Sequence, residues 1–423
     1  MQFVLQPDGS YSSPPGITAK LIKDGTTYRI EDRFDTLLVF NSDNQALYQE
    51  DADGNRINFG YTGGNLTTVS NSFGQSLTLH YTGDKINSVS DSAGRSVSYG
   101  YTNDDLTSYT DPNGKLWQYG YNSSGMTTLI NPLTTITATN TYDSLGRVKT
   151  QTVPRQSGGD VIYNFYFSGY RNAEEDPEGH QLIYHFDHKG RSIADENQLN
   201  QVTSRKYDGQ NHIVEATDQR GNLASFEFTG HDQTKVTDPL SRETTLLYDP
   251  HHRLSETTDP LNHKANFGYD SEHHQTSGTV YPATGQSIST GATSYPNGQP
   301  ETATDGRDIT TTFTYDPQGN PATSRLTGET PIVTQYDPIG RLSNLTDREN
   351  STTAFTYTDL GQVETKTDPF SRVTTYTYYD DGTIHTVSDR NGDITTYTYT
   401  PTAKVDTGNL PGYVLRTFYL RPA

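Results

Sequence analysis

Histidine is the residue whose types and spacing first suggest chemistry. Ten of the 12 histidines lie between His180 and His274: His180, His185, His188, His212, His231, His251, His252, His263, His273 and His274. Two adjacent pairs, His251-His252 and His273-His274, follow Tyr248 and Tyr269 at the same offset. Pairs in register on adjacent hairpins could come within reach of one zinc, copper or nickel ion. Imidazole also titrates near pH 6.5, so such a rim could respond to acid. The competing reading is conformational. His252 and His273 stand where other repeats carry Gly, and His tolerates positive φ. The second reading is the stronger, and no metal ligand is assigned.

Acidic loops come next. Asp51-Ala52-Asp53-Gly54-Asn55 and Asp389-Arg390-Asn391-Gly392-Asp393 resemble calcium loops, but lack the terminal Glu and the length of an EF-hand. Both fall in a recurrent turn slot, which predicts a plain turn. The sequence has no Gly-x-Ser-x-Gly, Walker loop, His-Glu-x-x-His or dinucleotide fingerprint. Nothing arranges Ser, His and Asp as a triad. The expectation is therefore a non-enzyme with no catalytic residue and no cofactor.

The elements that would position these side chains form a repeat. An aromatic recurs at Phe40, Tyr61, Tyr81, Tyr101, Tyr121, Tyr142, Phe165, Phe186, Tyr207, Phe228, Tyr248, Tyr269, Tyr295, Tyr315, Tyr336, Tyr357, Tyr378 and Tyr399. Fifteen of the 17 intervals are 20 or 21 residues. Before each anchor runs a strand of period two, as in Thr310-Thr311-Thr312-Phe313-Thr314-Tyr315. After it comes a turn, often Asp-x-x-Gly-Arg, as at residues 143–147, 187–191 and 337–341. A return strand such as residues 342–346 follows, then a second turn such as Asp111-Pro112-Asn113-Gly114. Asp caps these turns, Gly supplies positive φ, and Pro fits the second position of a type I turn.

Each unit is thus two antiparallel strands and two turns. One such hairpin is not stable alone, so neighbouring hairpins must pair and stack their aromatics. This predicts an all-β chain of tandem hairpins in one continuous superhelical sheet, as a hollow or partly open shell. The aromatic column could instead stack sugar rings, but its regular recurrence favours packing.

Composition fits that reading. Only 30% of the 423 residues are hydrophobic, yet there are 30 Tyr and 15 Phe. A globule of this length would be nearer half apolar, and a disordered chain would have few aromatics. The formal net charge of −20 opposes nucleic-acid binding. No run of 18 apolar residues predicts a membrane helix. The polar Thr, Ser and Asn face opposes a lipid-exposed barrel. Residues 1–8 lack the basic and apolar regions of a signal peptide. Cys is absent, so no disulfide framework exists.

Three regions are expected: N-terminal cap hairpins over 1–39, the repeat array over 40–408, and an irregular tail or cap over 409–423. The two long intervals mark insertions, at residues 154–160 and 279–293.

Tyr142-Asp143-Ser144-Leu145-Gly146-Arg147-Val148, Tyr336-Asp337-Pro338-Ile339-Gly340-Arg341-Leu342 and the Asp-Pro-Asn-Gly turn resemble the Rhs/YD-repeat family. The resemblance covers about residues 40–400. It implies a hairpin strip that spirals into a hollow shell, as in bacterial polymorphic toxins, wall-associated proteins and teneurins. The function implied is a non-enzymatic shell segment that encloses or presents another polypeptide, in toxin delivery or intercellular competition. Its partner would be a protein cargo or a flanking core or toxin domain. The full-length parent would be secreted or at the cell surface. The alternative is an extracellular adhesion or carbohydrate-binding module. No core-type aspartyl site resembling the family's is found at residues 407–412, and the sequence reads as repeat wall alone.

Overall fold

The computed structural model describes residues 2–154, 159–283 and 285–399. Among these the regular structure is entirely β. Chain contacts divide into two compact units, Met1–Ser96 with Phe165–Ser351, and Val97–Asn164 with Thr352–Ala423. Within each unit, strands pair antiparallel with their sequence neighbours. In the first unit, for example, Arg56–Thr62 pairs with Asn65–Asn71, which pairs in turn with Ser76–Thr82. In the second, Val373–Tyr378 pairs with both Val363–Thr367 and Ile384–Ser388.

The N-terminal hairpins read from sequence are present. Val4–Leu5 and Tyr11–Ser12 make a small separate sheet, whereas Lys20–Asp24 and Thr27–Glu31 join the repeat strands. The insertion at 279–293 is a lengthened hairpin, Gln275–Ala283 against Gln286–Ser294. Part of the other insertion, residues 155–158, and the expected tail at 409–423 lie outside the described residues.

Most turns share one five-residue loop geometry, while a few, such as residues 62–65 and 82–85, are two-residue hairpin turns. In residues 111–115 the Asp111 amide donates to the Lys115 carbonyl at 3.0 Å, and the Gly114 amide donates to the Asp111 carbonyl at 2.9 Å. Asp111 Oδ1 accepts from the amides of Asn113 and Lys115, both at 2.9 Å. This is a type I turn closed by a residue in the left-handed region at position four. Gly114 has φ 76°; in other copies Asn200, Ser241, Asn262 or Asp308 takes that position at φ 58–65°. The two turns with a calcium-like sequence have the same pattern, with Asp51 Oδ1 and Asp389 Oδ1 each accepting two loop amides.

The anchors explain the Tyr content. The hydroxyls of Tyr81, Tyr142, Tyr207, Tyr269 and Tyr378 donate to the carbonyls of Leu66, Met126, Ser192, Leu254 and Val363, 15 or 16 residues back. Each accepting residue is the first or second of the previous repeat's return strand. Tyr therefore packs its ring in the column and pins its strand to the preceding hairpin, a bond that Phe cannot make.

Two anchor assignments are corrected. The Tyr295 amide donates to the Gln299 carbonyl at 2.8 Å and its carbonyl accepts from Gly298. Tyr295 therefore fills the capping slot of the turn, and Ser294 ends the strand where an anchor was expected. The Tyr295 hydroxyl reaches forward instead, to the Phe313 carbonyl at 3.1 Å. At the other long interval the strand Val161–Ser168 runs past Phe165, so Phe167 stands next to last, as Tyr61 does in Arg56–Thr62. Recurrence of an aromatic alone does not locate the anchor, because the strand's end defines it.

There is little interior. The buried apolar residues among those described are Val39, Val161 and Ala173, and no large side chain is fully buried. A sheet one layer thick half-buries its aromatics instead, with edge-on pairs such as Tyr295–Tyr315 at 6.0 Å and Tyr379–Tyr399 at 6.1 Å. Behind the anchors, threonines face each other across strands, as Thr314–Thr323 at 2.7 Å and Thr356–Thr365 at 2.7 Å.

Candidate functional site: the histidine-bearing seam

Every repeat has an anchor turn after its aromatic and a linking turn before the next repeat. Anchor turns line one edge of the hairpin strip and linking turns the other. In the first unit these edges meet. Linking-turn residue Arg33 places Nη1 2.9 Å from Asp232 Oδ1. Asp35 Oδ2 lies 2.9 Å from His273 Nε2. Asp53 Oδ1 lies 2.9 Å from His274 Nε2, and Asn55 Nδ2 donates to the Asn297 carbonyl at 3.0 Å. Phe73 covers Gly319, whose missing Cβ would lie 3.0 Å from the ring. The second unit has the same kind of contact, Lys115 Nζ to Asp380 Oδ1 at 2.7 Å. Linking turns early in the chain thus abut anchor turns much later in it.

Six of the ten clustered histidines follow from two loop positions. His180, His212, His263 and His274 take position five, where other turns have Arg, and their Nδ1 atoms lie 2.8–3.0 Å from the capping Asp. Arg191 does the same through Nε, 2.7 Å from Asp187 Oδ2, while its guanidinium lies 4.4 Å from the Tyr207 ring centre. His252 and His273 take position four at φ 63° and 73°, in place of Gly. Their rings turn to carboxylates: His252 Nδ1 is 2.7 Å from Asp232 Oδ2, beside the Arg33 contact. Three of the paired histidines are therefore directed to Asp35, Asp53, Asp232 and Asp270, while His251 lies edge-on to the His273 ring at 5.8 Å. The Asp-x-x-Gly-Arg motif contains the signal for this, because aligning its fifth position shows His replacing Arg.

One group with metal-ligand character was not singled out from sequence. Asp176, Glu178 and His180 have ligand atoms within 4.8 Å of one another. It is one linking turn, exposed or half-buried, and its His180 Nδ1 lies 3.0 Å from Asp176 Oδ2.

Electrostatics follow from these contacts. Partial desolvation opposes ionisation of Asp187, but the Arg191 and Lys189 amides and the Arg191 guanidinium outweigh it, holding the carboxyl down at about 2. Partial desolvation likewise favours a neutral His274, but Asp53 and Asp270 outweigh it and raise its pKa. Folding then favours the His274 imidazolium. Its stabilising effect is complete below the ordinary value of about 6.5 and is lost as pH rises through the raised value. The capping carboxylates contribute in the opposite sense, and their share is lost as pH falls below about 4. The melting temperature should therefore fall by about 1–3 °C between pH 6 and pH 8. Asp53→Asn should flatten that slope; an equal slope in the variant would exclude the Asp53 contact as its source.

The comparisons agree with this architecture. The RHS Repeat family model matches residues 228–264 and 336–371. No curated protein sequence matches the chain. Among solved structures, TcdB2-TccC3-TEV superposes with a TM-score of 0.66 at 12% identity, covering 92% of this chain and 24% of that one. TcdB2-TccC3 without its hypervariable C-terminal region gives a TM-score of 0.67 at 11% identity over the same shares. The Photorhabdus luminescens Tc holotoxin pore gives 0.66 at 12%, again covering 92% and 24%. The chain thus spans about a quarter of the length of these structures. At such identities the likeness is one of fold. Residues 228–264 and 336–371 thus match the RHS Repeat family, and the hairpin period, the capped turns and the fold of the rest of the chain are similar to the Rhs/YD-repeat shells.

Proposed function

We propose that the chain is a structural segment of a protein shell that encloses or presents another polypeptide. The observation that carries this reading is the seam. A hairpin strip whose opposite edges bond to each other, as Arg33 to Asp232 and Asp53 to His274, makes a wall of stacked coils. Such a wall needs no thick core, consistent with the near absence of buried apolar residues among those described. The similar solved structures are Tc toxin complexes, which supports a protein cargo or a flanking toxin domain as the partner and a secreted or cell-surface parent. Residues 1–39 would cap the strip and residues 40–408 would form the wall. The matched family is a structural repeat, and the reading requires no catalytic residue. The carbohydrate-binding alternative is the weaker, because the anchor rings it would stack on are held in the column, their hydroxyls bonded to backbone carbonyls of the preceding hairpin.

Negative-stain electron microscopy of the purified chain tests the wall. Curved, thin-walled particles are expected; solid globules would overturn it. In the parent protein, the polypeptide that flanks the repeats should resist protease until the wall is denatured. Digestion at the rate of the free polypeptide would reject enclosure.

A further inference from the structure

The seam uses a fixed slot. The third residue of an early linking turn reaches across to a later anchor turn: Phe34 lies edge-on to His273 at 6.3 Å, Asp53 meets His274, and Phe73 covers Gly319. Cations of these turns meet acids of the anchor turns, as Arg33 meets Asp232.

The same slot recurs later in the first unit, exposed and with no contact to an anchor turn among the described residues. Leu199, Leu240 and Leu261 are 68%, 72% and 73% exposed, and Arg220 holds the slot in the turn between the first two. Two depressions lie on the same edge. One of about 280 Å³ is bounded by Glu174, His180 and Leu199, and one of about 590 Å³ by Leu261, His263 and Tyr281. Four successive linking turns therefore present three apolar tips and a cation, the residue types that cover and pair with anchor turns in the formed seam. The same unit also exposes anchor turns, at residues 41–45, 62–65 and 82–85. These carry Asp43 and Asp84 and tight glycines whose missing Cβ would touch nothing.

We propose that this linking-turn edge docks the exposed anchor-turn edge of a second copy of the chain, repeating between molecules the seam formed within one. Leu199, Leu240 and Leu261 would cover the glycine turns, and Arg220 would face Asp43 or Asp84. The contact joins two different surfaces, so a docked pair retains one free linking-turn edge on one copy and one free anchor-turn edge on the other, and assembly is head-to-tail and open-ended. The proposal rests on the seam and not on enclosure, so its failure leaves the shell reading intact.

Sedimentation velocity on the full chain at rising concentration tests it. The wild type should form a concentration-dependent series of dimer and larger species. The variant L199E/L240E/L261E should remain monomeric, with unchanged circular dichroism and melting. The variant D43K/D84K should also remain monomeric, although it lowers the net negative charge and would promote non-specific clustering. Mixed together, the two variants keep one intact edge each and should give a 1:1 dimer that grows no further. A monomeric wild type at about 100 µM, association of D43K/D84K equal to the wild type, or a mixture without the dimer would each overturn the proposal.

Discussion

Gly298→Ala should destabilise the first unit by about 2–4 kcal/mol, measured from urea denaturation. Gly298 occupies position four of its anchor turn at φ 79°, where an L-residue costs about 1–2 kcal/mol. Its added Cβ would also overlap Asp53 Oδ2, with Asp53 Cγ at 2.7 Å and His274 Nε2 at 3.0 Å. Displacing that carboxylate adds about 1–3 kcal/mol of overpacking. Gly190 is the control. It has φ 78° in an equivalent turn, with nothing within 4 Å of its would-be Cβ, so Gly190→Ala carries only the backbone cost. The difference between the two variants isolates the seam. In an Asp53→Ala background the carboxylate overlap is gone and only the His274 Nε2 approach at 3.0 Å is left, so Gly298→Ala should fall towards the cost of Gly190→Ala. Equal costs in the wild-type background would mean that the two edges separate freely.

Asp111→Ala should cost the second unit about 2–4 kcal/mol, whereas Asp111→Asn should stay within about 1 kcal/mol of wild type. Asp111 is only 5% exposed, and its Oδ1 accepts the amides of both Asn113 and Lys115. Alanine leaves two donors without an acceptor in a turn that water reaches poorly, and each such loss costs about 1–3 kcal/mol. Asparagine keeps the accepting oxygen. The sequence already uses it in this slot: Asn131, 7% exposed, accepts the Thr135 amide at 3.0 Å. Denaturation of both variants checks this, and an Asn variant as unstable as the Ala variant would show that charge, rather than the acceptor, holds the loop.

The capping role also accounts for much of the acidity. Asp is the usual first residue of both turn types, where its Oδ1 accepts loop amides; turns with Arg at position five also pair the charge, and turns without it leave the charge over. The net charge of −20 thus accumulates as a by-product of repeating one loop, and solubility follows from it.

How much was legible can be judged from particular residues. The hairpin period, the return strand at residues 342–346 and the positive φ of His252 and His273 could all be read from sequence. These are local matters of strand alternation and loop geometry, which a few residues decide. The anchor assignment at Phe165 failed because Phe167 competes for the slot, and that at Tyr295 failed because Ser294 fills the anchor slot while the aromatic stands one residue on, in the capping slot; the strand end that decides both is not written in residue type. The histidines were noticed, but their partners were not, because Asp35 and Asp53 are more than 200 residues from His273 and His274.

The sequence by itself determined the repeat: its length, its two capped turns, its aromatic column and its antiparallel neighbours. All of these depend on contacts within about 20 residues, so each copy specifies its own. Only the tertiary structure decided which turns meet, because the curvature accumulated over many hairpins selects the partner of each edge. A small change in twist per hairpin would move Asp53 past His274 to another turn while leaving every local rule satisfied.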